Sequence, residues 1–423
     1  MIRTLGSIFS LLLGVAVMLL GIGLLSTLLG VRAGVELFPQ TVTGVIMSCY
    51  FVGYVIGTFL CPAIIRRVGH VRAFSAMAAL ASVTAIAHAL VVNPWAWGAL
   101  RVMTGMCVVG LYMVIESWLN VLTTSSMRGR VFSTYIAVSL LAMAGGQYLL
   151  LVGEVRTFVP FAIASMLLSL ALVPIALTRV LQPTPVETPA VSLFHLHRVS
   201  PLGSTAALVA GLTGGAFWGM GAVFAQRVGL DGVGIAAFMS VTILGGALLQ
   251  WPVGHYSDNR DRRTVLMVVC FLAALAALVG YGLTRVSPWG LVADGFFYGG
   301  LSFSVYGLAV AHMNDHVDPT QVLEVTRGLL LLYGLGAAVG PASAGVLMAY
   351  LGPGSLMAFL ALAFVLLGGF AVVRMRTRAP PVPAEEQGEY VPMLRTSPVA
   401  LEMDPRAEVE PELDLGGPGP GPG

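Results

Sequence analysis

The chain has 423 residues, of which 57% are hydrophobic and only 10% are charged, and its formal net charge is +2. A soluble protein of this length could not present so few charges to water, so the composition excludes a soluble globular protein. The small net charge gives no indication of a nucleic-acid partner, because nucleic-acid binding needs a concentrated basic face. We therefore expect a protein embedded in a lipid bilayer.

Twelve apolar segments follow one another along the chain, and each reaches the roughly 20 residues that a helix needs to cross the hydrocarbon core. Their length and uniform apolarity favour helices over barrel strands. The first segment is too long for a signal peptide and lacks a small-residue cleavage site, so we expect it to be retained. The predicted spans are 5–30, 42–65, 72–92, 97–120, 131–152, 157–180, 204–226, 233–254, 264–284, 290–313, 327–350 and 354–374.

The basic residues predict the orientation in the membrane. All 22 of them are arginines. Of those next to predicted spans, fifteen lie on the side of the N-terminus and only Arg32, Arg156, Arg227 and Arg285 lie on the other. Such a bias is typical of the cytoplasmic side. We expect a multi-pass protein of the bacterial cytoplasmic (inner) membrane with both termini in the cytoplasm.

A polar connection divides the twelve spans into six and six. We predict an N-terminal six-helix bundle over 1–180, a cytoplasmic linker over 181–203, a C-terminal six-helix bundle over 204–378 and a disordered cytoplasmic tail over 379–423. The tail is rich in Pro and Glu, a composition that cannot form a packed core. His195 and His197 in the linker are weak evidence for a metal, and the cysteines form no CxxC pair, so we expect no metal and no cofactor.

The two halves repeat each other. Gly105, Tyr112 and Asn120 in the fourth span recur 194 residues later as Gly299, Tyr306 and Asn314 in the tenth. Duplicated six-helix halves are a recurrent transporter design with the substrate site between them. The predicted fold class is an all-α membrane protein with 12 transmembrane helices in two pseudo-symmetric six-helix bundles.

A charged loop between the eighth and ninth spans also has a counterpart in the first half, where Arg67 lies 192 residues before Asn259. We expect the loop charges to pair with each other, with helix ends or with Glu324 and Arg327, and so to form a cytoplasmic gate that favours the outward-open state. The alternative is that the arginines only set the topology. The predicted gate residues are Gly254, Asp258, Arg260, Arg262, Arg263, Arg67 and Gly69.

Polar residues recur at three- and four-residue steps in the fourth span, so they share one face of a helix. They are Arg101, Tyr112, Glu116 and Asn120. Because charges inside a membrane helix usually face the bundle interior or a water-filled cavity, this face is expected to line a central pathway.

Glu116 is the leading candidate for a proton-coupling or substrate-binding group, since carboxyl groups serve proton relays in membranes. The alternative is a structural ion pair, for instance with Arg128 or Arg130. Arg101 could hold an anionic cargo, or it could extend to the interface or bind a neighbouring helix.

A second polar stripe repeats every four residues in the tenth span and comprises Asp294, Tyr298, Ser302 and Tyr306. Asp294 could instead lie in the outer headgroup zone. His312, near the cytoplasmic end, falls on a different face and is expected to be structural. Trp218 in the seventh span could provide an aromatic wall for an amphipathic cargo, although such residues more often pack against helices or lipid.

These motifs resemble a known family. The loop pattern Gly254-x-x-x-Asp258-x-Arg260-x-Arg262-Arg263 and the pair Arg101-x-x-x-Gly105 resemble motifs of the major facilitator superfamily. The runs from Glu116 to Asn120 and from Ala311 to Asp315 are similar to the YcaD-like bacterial group of that superfamily. The resemblance implies the major facilitator fold, with helices one, four, seven and ten around the cavity.

The expected function is that of a secondary active transporter, which moves a small molecule by alternating access and is coupled to protons. The sequence has no GxxxxGK[ST] motif for an ATP-driven pump and no HExxH or GxSxG motif, so we do not expect an enzyme. The alternative is a transporter-shaped ligand sensor or scaffold without net flux. We expect a monomer with a small-molecule substrate and no nucleic acid.

Overall fold

The computed structural model describes residues 2–123, 127–177, 192–318, 321–377, 383, 387–392 and 395–403. Within these ranges the first half contains seven α-helices, and α6 and α7 together form the sixth predicted span. Their bounds are α1 (Ile2–Val35), α2 (Gln40–Val68), α3 (His70–Leu90), α4 (Pro94–Leu122), α5 (Arg128–Tyr148), α6 (Val159–Leu170) and α7 (Leu172–Ala176).

The second half begins with a short helix at the end of the linker and continues with six long helices. Their bounds are α8 (Leu193–Val199), α9 (Pro201–Arg227), α10 (Gly232–Ser257), α11 (Arg262–Leu283), α12 (Pro288–Asn314), α13 (Val322–Leu351) and α14 (Ser355–Thr377). The all-α prediction is confirmed. Residues 181–191 of the predicted linker lie outside the described residues.

Ten helices of the described ranges are long and apolar enough to cross a membrane. The other two predicted spans correspond to the broken α6–α7 segment and to α12. Helix α12 has 27 residues, which is long enough for a span. Its polar residues, among them Asp294 and Ser302, reduce its apolarity.

The capping residues show the duplication in detail. The Asn93 side chain accepts hydrogen bonds from the backbone N–H groups of Trp95 and Ala96 at the start of α4, at 2.9 and 3.2 Å. Ser287, 194 residues later, accepts one from Gly290 at the start of α12, at 3.0 Å. In both helices a proline follows the cap, where its missing N–H costs no helical hydrogen bond.

The crossing points of the two bundles correspond as well. Helix α2 packs against α4, and α10 packs against α12. Gly105 lies against the backbone carbonyl of Tyr50, and Gly299 lies against that of Thr242, so a Cβ at either glycine would clash with main chain. This close approach of backbones explains why the glycine recurs in the repeat.

The arginines define the two ends of the molecule. We call the end that carries Arg66 and Arg67 after α2, and Arg262 and Arg263 at the start of α11, the arginine-rich end. The other is the opposite end, where α1 and α9 finish.

Three hydrogen bonds join the bundles toward the opposite end. Gln226 Nε2 donates to Val31 O at 3.2 Å. Ser240 Oγ donates to Ala144 O at 2.6 Å, and Ala342 N donates to Ser48 Oγ at 3.0 Å. The bundles are therefore packed together at the opposite end.

The C-terminal tail differs from the expectation of disorder over residues 387–392 and 395–403, which have defined positions against the bundles. Pro398–Met403 form a 3-10 turn that contacts α4, α5 and α13. The physical reason is the apolar run YVPMLRTSPVAL over 390–401, which interrupts the Pro- and Glu-rich composition and buries Tyr390 and Ala400. Apart from Pro383, the other residues of the predicted tail lie outside the described ranges.

Candidate functional site

A cavity of about 710 Å³ lies between the two bundles. It extends from Arg101 to Arg66 and Arg327 at the arginine-rich end, and tail residues form part of its wall. Volumes of this size accommodate drug-sized ligands. The side chains that carry polar or aromatic chemistry into it include Tyr50, Tyr54, Arg101, Tyr112, Trp218, Phe303, Tyr333 and Arg395.

Arg101 is a buried cationic side chain in the part of the cavity wall that the first half provides. Its guanidinium carbon lies 4.4 Å from the centroid of the Tyr50 ring. The buried Nε atom makes no hydrogen bond within the described residues. Arg101 thus projects from α4 into the cavity rather than to the membrane interface.

Glu116 lies about one turn further along α4 from Tyr112, is completely buried and does not line the cavity. Tyr135 on α5 donates a hydrogen bond to Glu116 Oε1 at 2.6 Å, and Ser397 of the tail donates one to Oε2. These described contacts are with hydroxyl groups and not with Arg128 or Arg130. A hydroxyl can donate to a carboxylate or, after rotation, accept from a carboxylic acid.

The second half of the chain lines the cavity with aromatic side chains. Phe303 and Tyr306 project from α12, and Tyr333 projects from α13. The guanidinium carbon of Arg395 lies 5.2, 5.4 and 5.2 Å from the centroids of these rings, in that order. Trp218 on α9 stacks against Phe303 with ring centroids 5.8 Å apart. The predicted residue Trp218 therefore lines the cavity, whereas Tyr306 is buried behind Arg395, which it contacts.

An ion-pair network occupies the arginine-rich end of the second half. Arg262 is buried, and its guanidinium lies 2.7 Å from Asp315 Oδ2 and 3.2 Å from Asp258 Oδ1. Burial raises the pKa of Asp315, and the neighbouring Arg262 opposes this rise. Asp315 follows α12, so the pairs connect the loop before α11 with the end of α12.

The tail continues this network. Tyr390 N donates to Asp258 Oδ1 at 2.8 Å, Gly388 N donates to Asp315 Oδ1 at 3.2 Å, and Arg262 donates to the Gly388 carbonyl. The Tyr390 ring packs between Gly254 and Gly307. Three residues of the predicted gate, Gly254, Asp258 and Arg262, therefore contact the tail.

The other predicted gate residues lie nearer the surface. Arg260 lies over the Tyr256 ring at 4.4 Å, and Arg263 pairs with Asp261 at 3.0 Å. Arg67 is exposed at the end of α2. Gly69 joins α2 to α3 with a φ of 84°, a backbone conformation that favours glycine.

Several predicted pathway residues lie away from the cavity. Asp294 is half-buried against Gly280 of α11. Tyr298 packs against Phe217 and Phe364. The Ser302 hydroxyl donates a hydrogen bond to Gly299 O at 3.4 Å. Asn120 is half-buried at the arginine-rich end of α4.

A four-residue step exceeds one helical turn by about 40°, so Asp294 and Tyr306 diverge by roughly 120° around α12. The even spacing therefore does not make one face.

Some residues of the site were not found from the sequence. Tyr54, Tyr135, Phe303 and Tyr333 are ordinary aromatics in apolar spans, and nothing in one sequence distinguishes them from packing residues. The tail residues Arg395 and Ser397 had a signal, because they lie within the apolar run 390–401 of an otherwise polar tail.

The described residues contain no cluster of three or more His, Cys, Asp or Glu side chains that could hold a metal ion. His197 Nδ1 lies 3.1 Å from Ser204 Oγ. The four cysteines are free. The expectation that the protein needs neither metal nor cofactor stays a prediction.

Two pseudo-symmetric helical bundles around a central cavity define a membrane transporter. The chain belongs to the major facilitator superfamily, whose model matches residues 5–323 and 204–403. Relatives include the MFS-type transporter YcaD of Escherichia fergusonii, 28% identical over 344 residues that cover 80% of this chain and 88% of the relative. An MFS-type transporter of Enterobacter sp. (strain 638) is 27% identical over 342 residues, with the same coverage. The resemblance inferred from the motifs is confirmed.

Solved structures show the same fold. The nucleoside transporter NupG matches with a TM-score of 0.74 at 13% identity, covering 88% of this chain and 100% of that one. A bacterial homologue of the human lysosomal transporter Spinster, inward-facing and occupied, matches with a TM-score of 0.72 at 14% identity, covering 90% of this chain and 98% of that one. At these identities the likeness concerns the fold alone.

Proposed function

We propose that the protein is a secondary active transporter that moves a small molecule by alternating access and couples this movement to protons. The observation that carries the proposal is the buried carboxyl of Glu116 in α4, whose neighbours Met113 and Ser117 line the cavity between the two duplicated bundles. Duplicated bundles can rock around a fixed central site.

Proton coupling rests on the surroundings of Glu116. Its described partners include the hydroxyl groups of Tyr135 and Ser397, which suit either protonation state after rotation. The backbone N–H of Ala400 also acts on the carboxyl, and it can only donate to it. A carboxylate held by an arginine would instead resist protonation. Glu116 can therefore gain and lose a proton as its exposure to the cavity changes, which is the property that a coupling residue needs.

The orientation follows from the charge bias. We assign the arginine-rich end to the cytoplasm and place both termini there, in a bacterial inner membrane. The bundles are packed at the opposite end and the cavity reaches the arginine-rich end, so this arrangement corresponds to an inward-facing state. We assign the cytoplasmic gate to Asp258, Arg262 and the neighbouring loop charges, which pair within the second half in this state and exchange these partners for others across the bundles in the outward-open state. We further propose a monomer, with no enzymatic activity and no nucleic-acid partner.

A flux measurement distinguishes a transporter from a ligand sensor. Purified protein is first screened by thermal shift, since a ligand that binds the folded state raises the melting temperature. The best ligand, radiolabelled, is then tested for counterflow into proteoliposomes preloaded with unlabelled ligand. Accumulation above protein-free liposomes supports a carrier. Binding without accumulation in either protein orientation would support the sensor or scaffold.

A further inference from the structure

Arg395 of the tail lies in a cage of three aromatic rings, Phe303, Tyr306 and Tyr333, which we call the aromatic cage. We propose that this cage is a binding subsite for the cationic head of an organic cation, and that Arg395 occupies it as an intramolecular competitor. This inference rests on the proposed transport function and specifies the class of cargo. The cargo carries a guanidinium or quaternary ammonium group on an apolar body.

The geometry of the cage suits a compact cation. The distances from the guanidinium carbon to the three centroids, 5.2, 5.4 and 5.2 Å, lie within the roughly 6 Å over which a ring face attracts a cation. Tyr306 and Tyr333 meet edge to face with centroids 5.2 Å apart. The Trp218 ring stacks against the Phe303 ring. The three rings therefore have fixed orientations around one point.

The charge environment shows that the rings hold the cation without a carboxylate. The described contacts of Arg395 are the three rings and a hydrogen bond to the Phe303 carbonyl. In contrast, the buried Arg262 is paired with both Asp258 and Asp315. Aromatic faces and a carbonyl can replace the water around a weakly hydrated cation, and they attract no anion.

The cavity beside the cage has room for the rest of a ligand. A volume of about 710 Å³ remains with Arg395 in place, and apolar side chains such as Phe51 and Leu330 line it. Arg395 is tethered 18 residues after Thr377, the last residue of α14. Tyr390, which packs between Gly254 and Gly307, lies only five residues before Arg395, so the docked tail keeps the guanidinium close to the cage and competes with free cations.

The test compares phenylguanidinium with phenylurea, its neutral counterpart of nearly the same shape. Binding of both is measured by calorimetry on purified full-length protein, Arg395→Leu, and Arg395→Leu combined with Tyr306→Leu or Tyr306→Phe. Phe297→Leu serves as the control, because Phe297 is an exposed ring on the same helix. We expect Arg395→Leu to raise the affinity for phenylguanidinium on the order of tenfold and to leave phenylurea unchanged.

The second substitution then tests the cage itself. Tyr306→Leu should abolish most of that gain, Tyr306→Phe should retain it because the ring face is kept, and Phe297→Leu should have no effect. Equal binding of cation and neutral compound, or no gain in Arg395→Leu, would overturn the proposal. A preference for the cation without counterflow would refute transport and leave the subsite standing. Counterflow of a neutral ligand alone would support transport and refute the cation subsite.

Discussion

Ser397 donates a hydrogen bond to Glu116, although the two residues are 281 positions apart in the chain. The contact brings the tail from the arginine-rich end to the carboxyl group that we assign to proton coupling. Ser397 and Tyr135 together enclose that carboxyl. The tail therefore covers Glu116 in this arrangement, and we expect its release to change the surroundings of the carboxyl.

Removal of the tail should speed transport. Deletion of residues 387–423 removes Arg395 from the aromatic cage and Ser397 from Glu116, and we expect initial counterflow rates to rise on the order of tenfold. Deletion of 404–423 keeps all the described tail contacts and is the matched control. A disordered tail without contacts to the bundles would instead leave both deletion variants transporting like the full chain. Equal rates for all three proteins would show that the docked tail has no effect on turnover.

Gly307→Ala should displace the tail without touching its sequence. The Tyr390 ring packs against Gly307, and a methyl group there would occupy the same space. Trypsin cleavage after Arg395 should then become about tenfold faster, because local opening exposes the bond. Gly369→Ala adds a methyl group to open space and should leave the cleavage rate unchanged. A tail that stays protected in Gly307→Ala would contradict the described packing of Tyr390.

Asp315→Asn should weaken the fold more than Asp261→Asn does. Asp315 pairs with the buried Arg262, whose remaining carboxylate partner is Asp258. We expect a loss of about 1–3 kcal/mol for this charge-assisted contact, against less than about 1 kcal/mol for the more exposed pair of Asp261 with Arg263. Thermal unfolding in detergent gives the comparison. Equal melting temperatures would mean that the buried pair makes no net contribution.

Alternating access requires the opposite end, where the bundles are packed, to open during transport. Ser48 on α2 and Ala342 on α13 are in hydrogen-bond contact where the bundles are packed. In a variant without the native cysteines, Ser48→Cys and Ala342→Cys should form a disulfide under mild oxidation. Deletion of residues 387–423 frees the bundles to rock and should lower the yield. The same high yield with and without the tail would indicate that this end does not open.

The sequence predicted the helical spans because the bilayer imposes a length and an apolarity that can be read residue by residue. The spacing of charged and polar residues in α4 indicated that Arg101, Tyr112 and Glu116 face the interior, and Arg101 and Tyr112 line the cavity while Glu116 is buried beside it. The spacing in α12 did not indicate that Asp294 and Tyr298 lie away from the cavity, because a four-residue step rotates around the helix. Their roles in transport stay predictions. Tail docking could not be predicted, because the contacts of Arg395 and Ser397 depend on a cavity formed by both bundles.

Proton movement is the most direct test of the central claim. Proteoliposomes containing the protein without residues 387–423 and a trapped pH-sensitive dye receive a gradient of the best ligand from the thermal-shift screen. We expect a change of internal pH that is absent in the same protein with Glu116→Gln. The variant Asp294→Asn, which removes an acid away from the cavity, should behave normally. A pH change that persists in Glu116→Gln, or ligand flux with no pH change in the truncated protein, would contradict the account.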